Sequence, residues 1–67
     1  MSSDETRRIL RMFGVAVTAF EDAVLHKSSI EEIQVAESEV RARLQEVTSL
    51  IERFRAIAAR ASGSQGH

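Results

Sequence analysis

The 67-residue chain contains no cysteine, proline, tryptophan or tyrosine, and its only glycines are Gly14, Gly63 and Gly66. Without cysteine there are no disulfides, thiolate metal sites or thiol chemistry, and the sequence suits a reducing compartment. Without proline, and with a single glycine between Ser3 and Ser62, almost nothing interrupts a helix. Long apolar runs are also missing. No stretch reaches the roughly 18 to 20 residues that span a bilayer, and the start of the chain, with Asp4 and Glu5, is acidic rather than basic like an export signal. These absences predict an all-α, cytoplasmic chain with no membrane segment. A domain this short buries only about 60% of the surface its unfolded chain exposes, so it ordinarily needs disulfides, a metal or oligomerisation. Oligomerisation is the route that composition leaves open.

What the chain does contain is apolar periodicity. Ile9, Leu10, Met12, Phe13, Ala16, Val17, Ala19, Phe20, Ala23 and Val24 fall on one broad helical face, wide enough to touch two neighbours. Ser2 or Ser3 caps the start of this helix, Asp4 and Glu5 complement its dipole, and Ser2 with Glu5 has capping-box spacing. The rhythm breaks at His26, Lys27, Ser28 and Ser29, where cations meet the last carbonyls and two serines precede Glu31 and Glu32 by three positions. A second ladder then runs through Ile33, Ala36, Val40, Leu44, Val47, Leu50, Ile51, Phe54, Ile57 and Ala58. Its main steps average nearer 3.6 than 3.5 residues, which suits nearly straight helices. The spacing predicts an antiparallel two-helix hairpin, about 3–26 and 29–61, within one unit at 1–62 and followed by a disordered tail at 63–67. At about 1.5 Å per residue the second helix overhangs the first, leaving Phe54, Ile57 and Ala58 to be covered from elsewhere. A homodimeric four-helix bundle meets that need with short loops, and its expected core is Phe13, Ala16, Val17, Phe20, Val40, Leu44, Val47, Ile51, Phe54, Ile57 and Ala58.

Charge is segregated although the net value is only −1. Residues 21–40 carry six carboxylates against Lys27, whereas residues 1–12 and 48–67 are net basic. An antiparallel dimer lays each basic open end beside the other copy's acidic turn, so charge selects orientation while apolar burial supplies affinity.

The chemistry-bearing residues are few. His26 and His67 are the only histidines, and His26 has only Asp22 nearby, so no metal and no other cofactor is expected. Most serines lie at caps or in the tail, and neither a phosphate loop nor a nucleophile with its base is present, so an enzyme is not expected. Glu37 with Arg41, and Glu39 with Arg43, have the favourable acid-first spacing of helix-surface pairs. They read first as a solvated face and secondly as exposed arginine anchors for an acidic partner. Gly14, with Ala16, Ala19 and Ala23, lets another helix approach closely. Leu25 and Val35 lie off the main stripes beside Glu21, Asp22, Glu31 and Glu32, a combination that either covers the turn or docks a basic, partly apolar partner. Arg7, Arg8, Arg11, Arg53, Arg55 and Arg60 cluster at the open end as phosphate contacts would. The three phenylalanines belong to the apolar faces, however, so base stacking is absent and nucleic acid is not the expected partner.

In length and element order, a serine-capped broad helix, a Ser28 and Ser29 turn and a longer charged helix, residues 3–62 resemble small phage-encoded helical hairpins. These dimerise and inhibit host proteins, quorum-sensing anti-activators among them. The likeness is architectural and carries over no residue roles. The chain is also similar to the Rop-like plasmid copy-control hairpins, which implies an antiparallel dimer and RNA binding, although the unequal helices and the missing RNA-facing pattern depart from that family. The expectation is therefore a non-enzymatic, homodimeric protein-binding module that inhibits or sequesters a larger protein such as a transcription regulator. An RNA-binding hairpin, or a chaperone or structural subunit of a larger assembly, is the alternative.

Overall fold

A computed structural model describes the backbone of residues 3–66 and the side chains of residues 4–61. Two helices account for nearly all of it: α1, Ser3–Leu25, and α2, Ile30–Gly66. Among the described residues there is no strand. The all-α, two-helix hairpin expected from the sequence is therefore observed. The capping roles of Ser2 and of the Ser3 side chain lie outside the described residues, as does residue 67.

The turn is built from local hydrogen bonds. The Ser28 amide donates to the Ala23 carbonyl at 3.0 Å and the Lys27 amide to the Val24 carbonyl at 3.3 Å, the paired bonds of a Schellman stop. Such a stop needs one left-handed residue, and here that residue is Lys27 at φ 56°, where glycine would be unstrained. The His26 ring Nδ1 also donates to the Asp22 carbonyl at 2.9 Å, so a side chain satisfies one end of α1. α2 opens with a complete capping box. The Glu32 amide donates to Ser29 Oγ at 3.1 Å and the Ser29 amide to the Glu32 carboxylate at 3.2 Å. Of the two serine–glutamate pairs with this spacing, Ser29 and Glu32 form the cap. α2 ends later than the expected position near Ala61, with its backbone helical to Gly66 through the segment expected as a tail. No proline interrupts that segment, and glycine weakens a helix without forbidding it.

The seam between the helices is narrower than the sequence ladders. In α1 the seam is formed by buried or half-buried Thr6, Ile9, Phe13, Ala16, Phe20 and Ala23, and in α2 by Ile33, Ala36, Val40, Val47 and Leu50 together with the stem of Arg43. Both series alternate steps of three and four, the knobs-into-holes rhythm of an antiparallel coiled coil. The second ladder is thus two stripes rather than one. Leu50 is only 4% exposed whereas its neighbour Ile51 is 55% exposed, and Arg43 takes the seam position beside which Leu44 stays half exposed. A 3.6-residue series drifts by about 20° per heptad relative to a 3.5-residue seam, so the ladder's Leu44 and Ile51 fall beside the contact while Val40 and Val47 stay on it. Arg53 Nη2 meets a Glu5 carboxylate oxygen at 3.2 Å and sets the register at the open end. Beyond this pair α2 overhangs α1 by about 15 Å at 1.5 Å per residue, so the expected overhang is present.

The result is an extended object of 57 × 20 × 13 Å. Its radius of gyration is 16.7 Å, against about 11 Å for a compact chain of this length. Ile9, Ala16 and Leu50 are the only buried apolar residues among those described.

Candidate protein-binding surface

The heptad register decides which unused apolar residues share a side. Thr6, Phe13 and Phe20 take one core position of α1 and Ile9, Ala16 and Ala23 the other; in α2 the corresponding sets are Ile33, Val40, Val47 and Phe54, then Ala36, Arg43 and Leu50. In an antiparallel pair, the residue following the second core position lies on the same side of the hairpin in both helices. That flank receives Leu10, Val17 and Val24 from α1 and Leu44, Ile51 and Ala58 from α2, while Glu37 holds the same heptad position nearer the turn. The five larger side chains are 38% to 55% exposed. Half-buried Phe13, Phe20, Val40 and Val47 border it from the seam, and Phe54, 43% exposed, extends it onto the overhang. The opposite flank of α2 carries Glu39, Glu46, Arg53 and Arg60. One side of the hairpin is therefore apolar along most of its length, and on the other α2 is charged beside Glu5, Met12 and Ala19 of α1.

Most of the expected dimer core lies on this apolar flank or its border. Ala16 is instead buried against α2 within the single hairpin, and Ile57 continues the seam position of Leu50 onto the overhang. Ile9 and Leu50, absent from the expected dimer core, turn out to be the centre of the intrachain core.

The two arginine anchors differ. Arg41 is 75% exposed at its side chain and pairs with Glu37 at 2.7 Å, as the sequence spacing predicts. Arg43 is only 25% exposed, because its stem lies in the seam level with small Ala16. Its Nε donates to Glu39 at 2.8 Å and its Nη1 to both oxygens of Glu46 at 3.0 and 3.1 Å. Hydrogen bonds first to Glu39 and then to Glu46 raise its pKa above the ordinary arginine value. Arg43 is a clasp holding its own helix surface, not an exposed anchor. Glu46, which completes the clasp, was missed in the sequence although its spacing of three from Arg43 marks a possible pair.

At the turn, Leu25 and Val35 are 66% and 69% exposed, and Glu21, Asp22, Glu31 and Glu32 are all exposed around the same end. Val35 and Ala36 line a shallow apolar depression with Glu31 and Glu32. Ile30 is exposed there too, a residue sequence reasoning passed over because it precedes the ladder. At the open end Arg7, Arg8, Arg11, Arg55 and Arg60 are exposed, whereas Arg53 is engaged by Glu5.

Gly14 is not used by the hairpin. A Cβ built there meets nothing within 4 Å, so the close helix approach expected at this residue is not to α2. Thr18 Oγ1 donates to its carbonyl at 2.9 Å.

Among the described residues no three His, Asp or Glu side chains are grouped to hold a metal, and no helix is long and apolar enough to cross a membrane. No family model, curated protein or solved structure matches the chain. The class that fold and surface define is an amphipathic helical hairpin, apolar on one flank and acidic at its tip.

Proposed function

We propose that the chain is a non-enzymatic protein-binding module, a homodimeric helical hairpin that inhibits or sequesters a larger protein. The observation that carries this reading is the excess of accessible surface. A compact 7.4 kDa chain exposes about 4,200 Å², and this hairpin exposes 5,521 Å² with an apolar flank along it. Contiguous apolar surface of this kind marks association rather than chemistry. With the flank given to a second copy, the tip is the surface offered outward, and its aliphatic Leu25 and Val35 among carboxylates suit a basic, partly apolar target such as a DNA-binding domain.

The test couples capture to the tip. Folded, immobilised protein is expected to retain a protein ligand that survives nuclease treatment and is lost with Leu25→Lys and Val35→Lys, while helicity and sedimentation stay as in the parent. Retention of nucleic acid alone, with steep salt dependence removed by Arg7→Ala and Arg11→Ala, would replace this reading with an RNA-binding one. Retention unaffected by the tip substitutions would move the binding site elsewhere.

A further inference from the structure

We propose that a second copy covers the apolar flank in one arrangement only: turns at opposite ends, α1 against α1, α2 against α2, and Gly14 at the two-fold axis. This rests on the homodimer reading above and adds its geometry.

The first support is a charge pattern that is antisymmetric about Gly14. Along the side of α1 that faces outward from the flank, the residues at steps of three and four are Arg7, Leu10, Gly14, Val17, Glu21 and Val24. A two-fold axis at Gly14 sets Leu10 beside Val17 of the second copy and Arg7 beside Glu21 of the second copy. The Glu5–Arg53 pair places residues 44–46 of α2 level with Gly14. The same axis then brings Arg55 within a turn of Glu37 of the second copy. The alternative, with both turns at one end, sets α1 against α2. It puts Arg7 within a turn of Arg55, like charge on like, and Glu21 level with Glu37, where the nearest cation, Arg41, is already paired with Glu37. Only the antiparallel arrangement is complementary.

The second support is the overhang. With α2 antiparallel to α2 about residues 44–46, the stretch from Phe54 to Ala58 runs along the beginning of the other α2, near Ile30 and Gln34. With turns at one end, the level of Ile57 and Ala58 has no α1 opposite it. The third support is Gly14. A helix interior disfavours glycine, and nothing within the hairpin approaches this one, so its missing side chain serves a neighbour from outside. Two such glycines crossing at the axis allow the backbones of α1 and α1 to approach. The surface excess of about 1,300 Å² per chain also exceeds the roughly 800 Å² that each partner of a stable interface buries.

The chain has no cysteine, so a single introduced thiol reports its own neighbour. Gly14→Cys is expected to form a disulfide-linked dimer under glutathione buffer, because a residue on the axis meets itself within the reach of a disulfide. Arg7→Cys alone should not cross-link, and Arg7→Cys with Glu21→Cys should. Sedimentation accompanies each measurement. A dimer in which Arg7→Cys cross-links alone, or Gly14→Cys does not, overturns the arrangement and leaves the homodimer standing. A monomer at every concentration overturns both. Should Gly14→Cys disturb folding, charge reversal gives an independent readout. Arg7→Glu is expected to raise the dimer dissociation constant about tenfold, since symmetry spoils two pairs, and Arg7→Glu with Glu21→Arg to restore it. An unchanged constant in Arg7→Glu overturns the arrangement.

Discussion

Leu50 and Ile51 are adjacent, aliphatic and equal in volume, yet the structure gives them different work, so truncating each in turn separates the hairpin seam from the outer flank. Leu50 is 4% exposed at the centre of the seam. A Leu→Ala change at such a site costs about 2 to 5 kcal/mol, because the removed methyls leave a cavity as well as losing their transfer free energy. A chain of this length has a total stability of about 3 to 10 kcal/mol. Leu50→Ala therefore removes a large share of it, and at about 4 to 8 °C per kcal/mol the midpoint should fall by at least about 8 °C. Ile51 is 55% exposed in the single hairpin, where truncation costs only about 1 kcal/mol. In the proposed dimer it is covered in both copies, so on that proposal Ile51→Ala should cost more, and its cost should grow as protein concentration rises. The assay is thermal unfolding followed by far-UV circular dichroism, at concentrations spanning about two orders of magnitude. The seam assignment is refuted if Leu50→Ala melts like the parent, or if Ile51→Ala is the more damaging change in the most dilute sample.

Four further outcomes follow from single features. Ser29→Ala removes one bond of the capping box and frees the Glu32 amide, and should cost about 1 kcal/mol in urea unfolding. Lys27→Gly relaxes a left-handed residue and should raise stability by up to about 1 kcal/mol, seen as a higher urea midpoint at unchanged slope. Gly14→Ala should stabilise dilute monomer by up to about 1 kcal/mol through helix propensity while weakening self-association, opposite shifts that unfolding and sedimentation report separately. The raised pKa of Arg43 gives a pH prediction. A cation whose pKa is higher when folded stabilises fully below its unfolded value and loses that contribution as pH climbs through the folded one. For an arginine this window is strongly alkaline, so the stability difference between parent and Arg43→Ala should not change through titration of Arg43 anywhere from pH 6 to 10. A difference that shrinks by pH 9 would show that the clasp depends on another group.

The helices, the turn and its caps were legible in the residues. Each depends on partners at most five positions apart: Ser29 with Glu32, His26 with the carbonyl of Asp22, Ser28 with the carbonyl of Ala23. Such bonds form wherever the chain is helical, and composition alone makes it helical. The overhang was legible for the same reason, since helix length is counted in residues. The pairing of Arg41 with Glu37 was readable too, because it lies within one helix.

What the residues alone determined, then, is an all-α hairpin with too much apolar surface for one copy, because helix propensity, capping and residue count act locally. Which stripe of that surface faces inward was decided only when α1 met α2. Leu50 and Ile51, or Arg43 and Leu44, lie about 100° apart on a helix, and both are acceptable to periodicity. The opposing helix chose between them. Its rhythm through Ile9, Phe13 and Ala16 admits one register, and level with Ala16 there is room for the stem of an arginine whose charge Glu39 and Glu46 satisfy at the rim. That choice turned one continuous ladder into a closed seam and an open flank, and it left Gly14 facing away from its own hairpin.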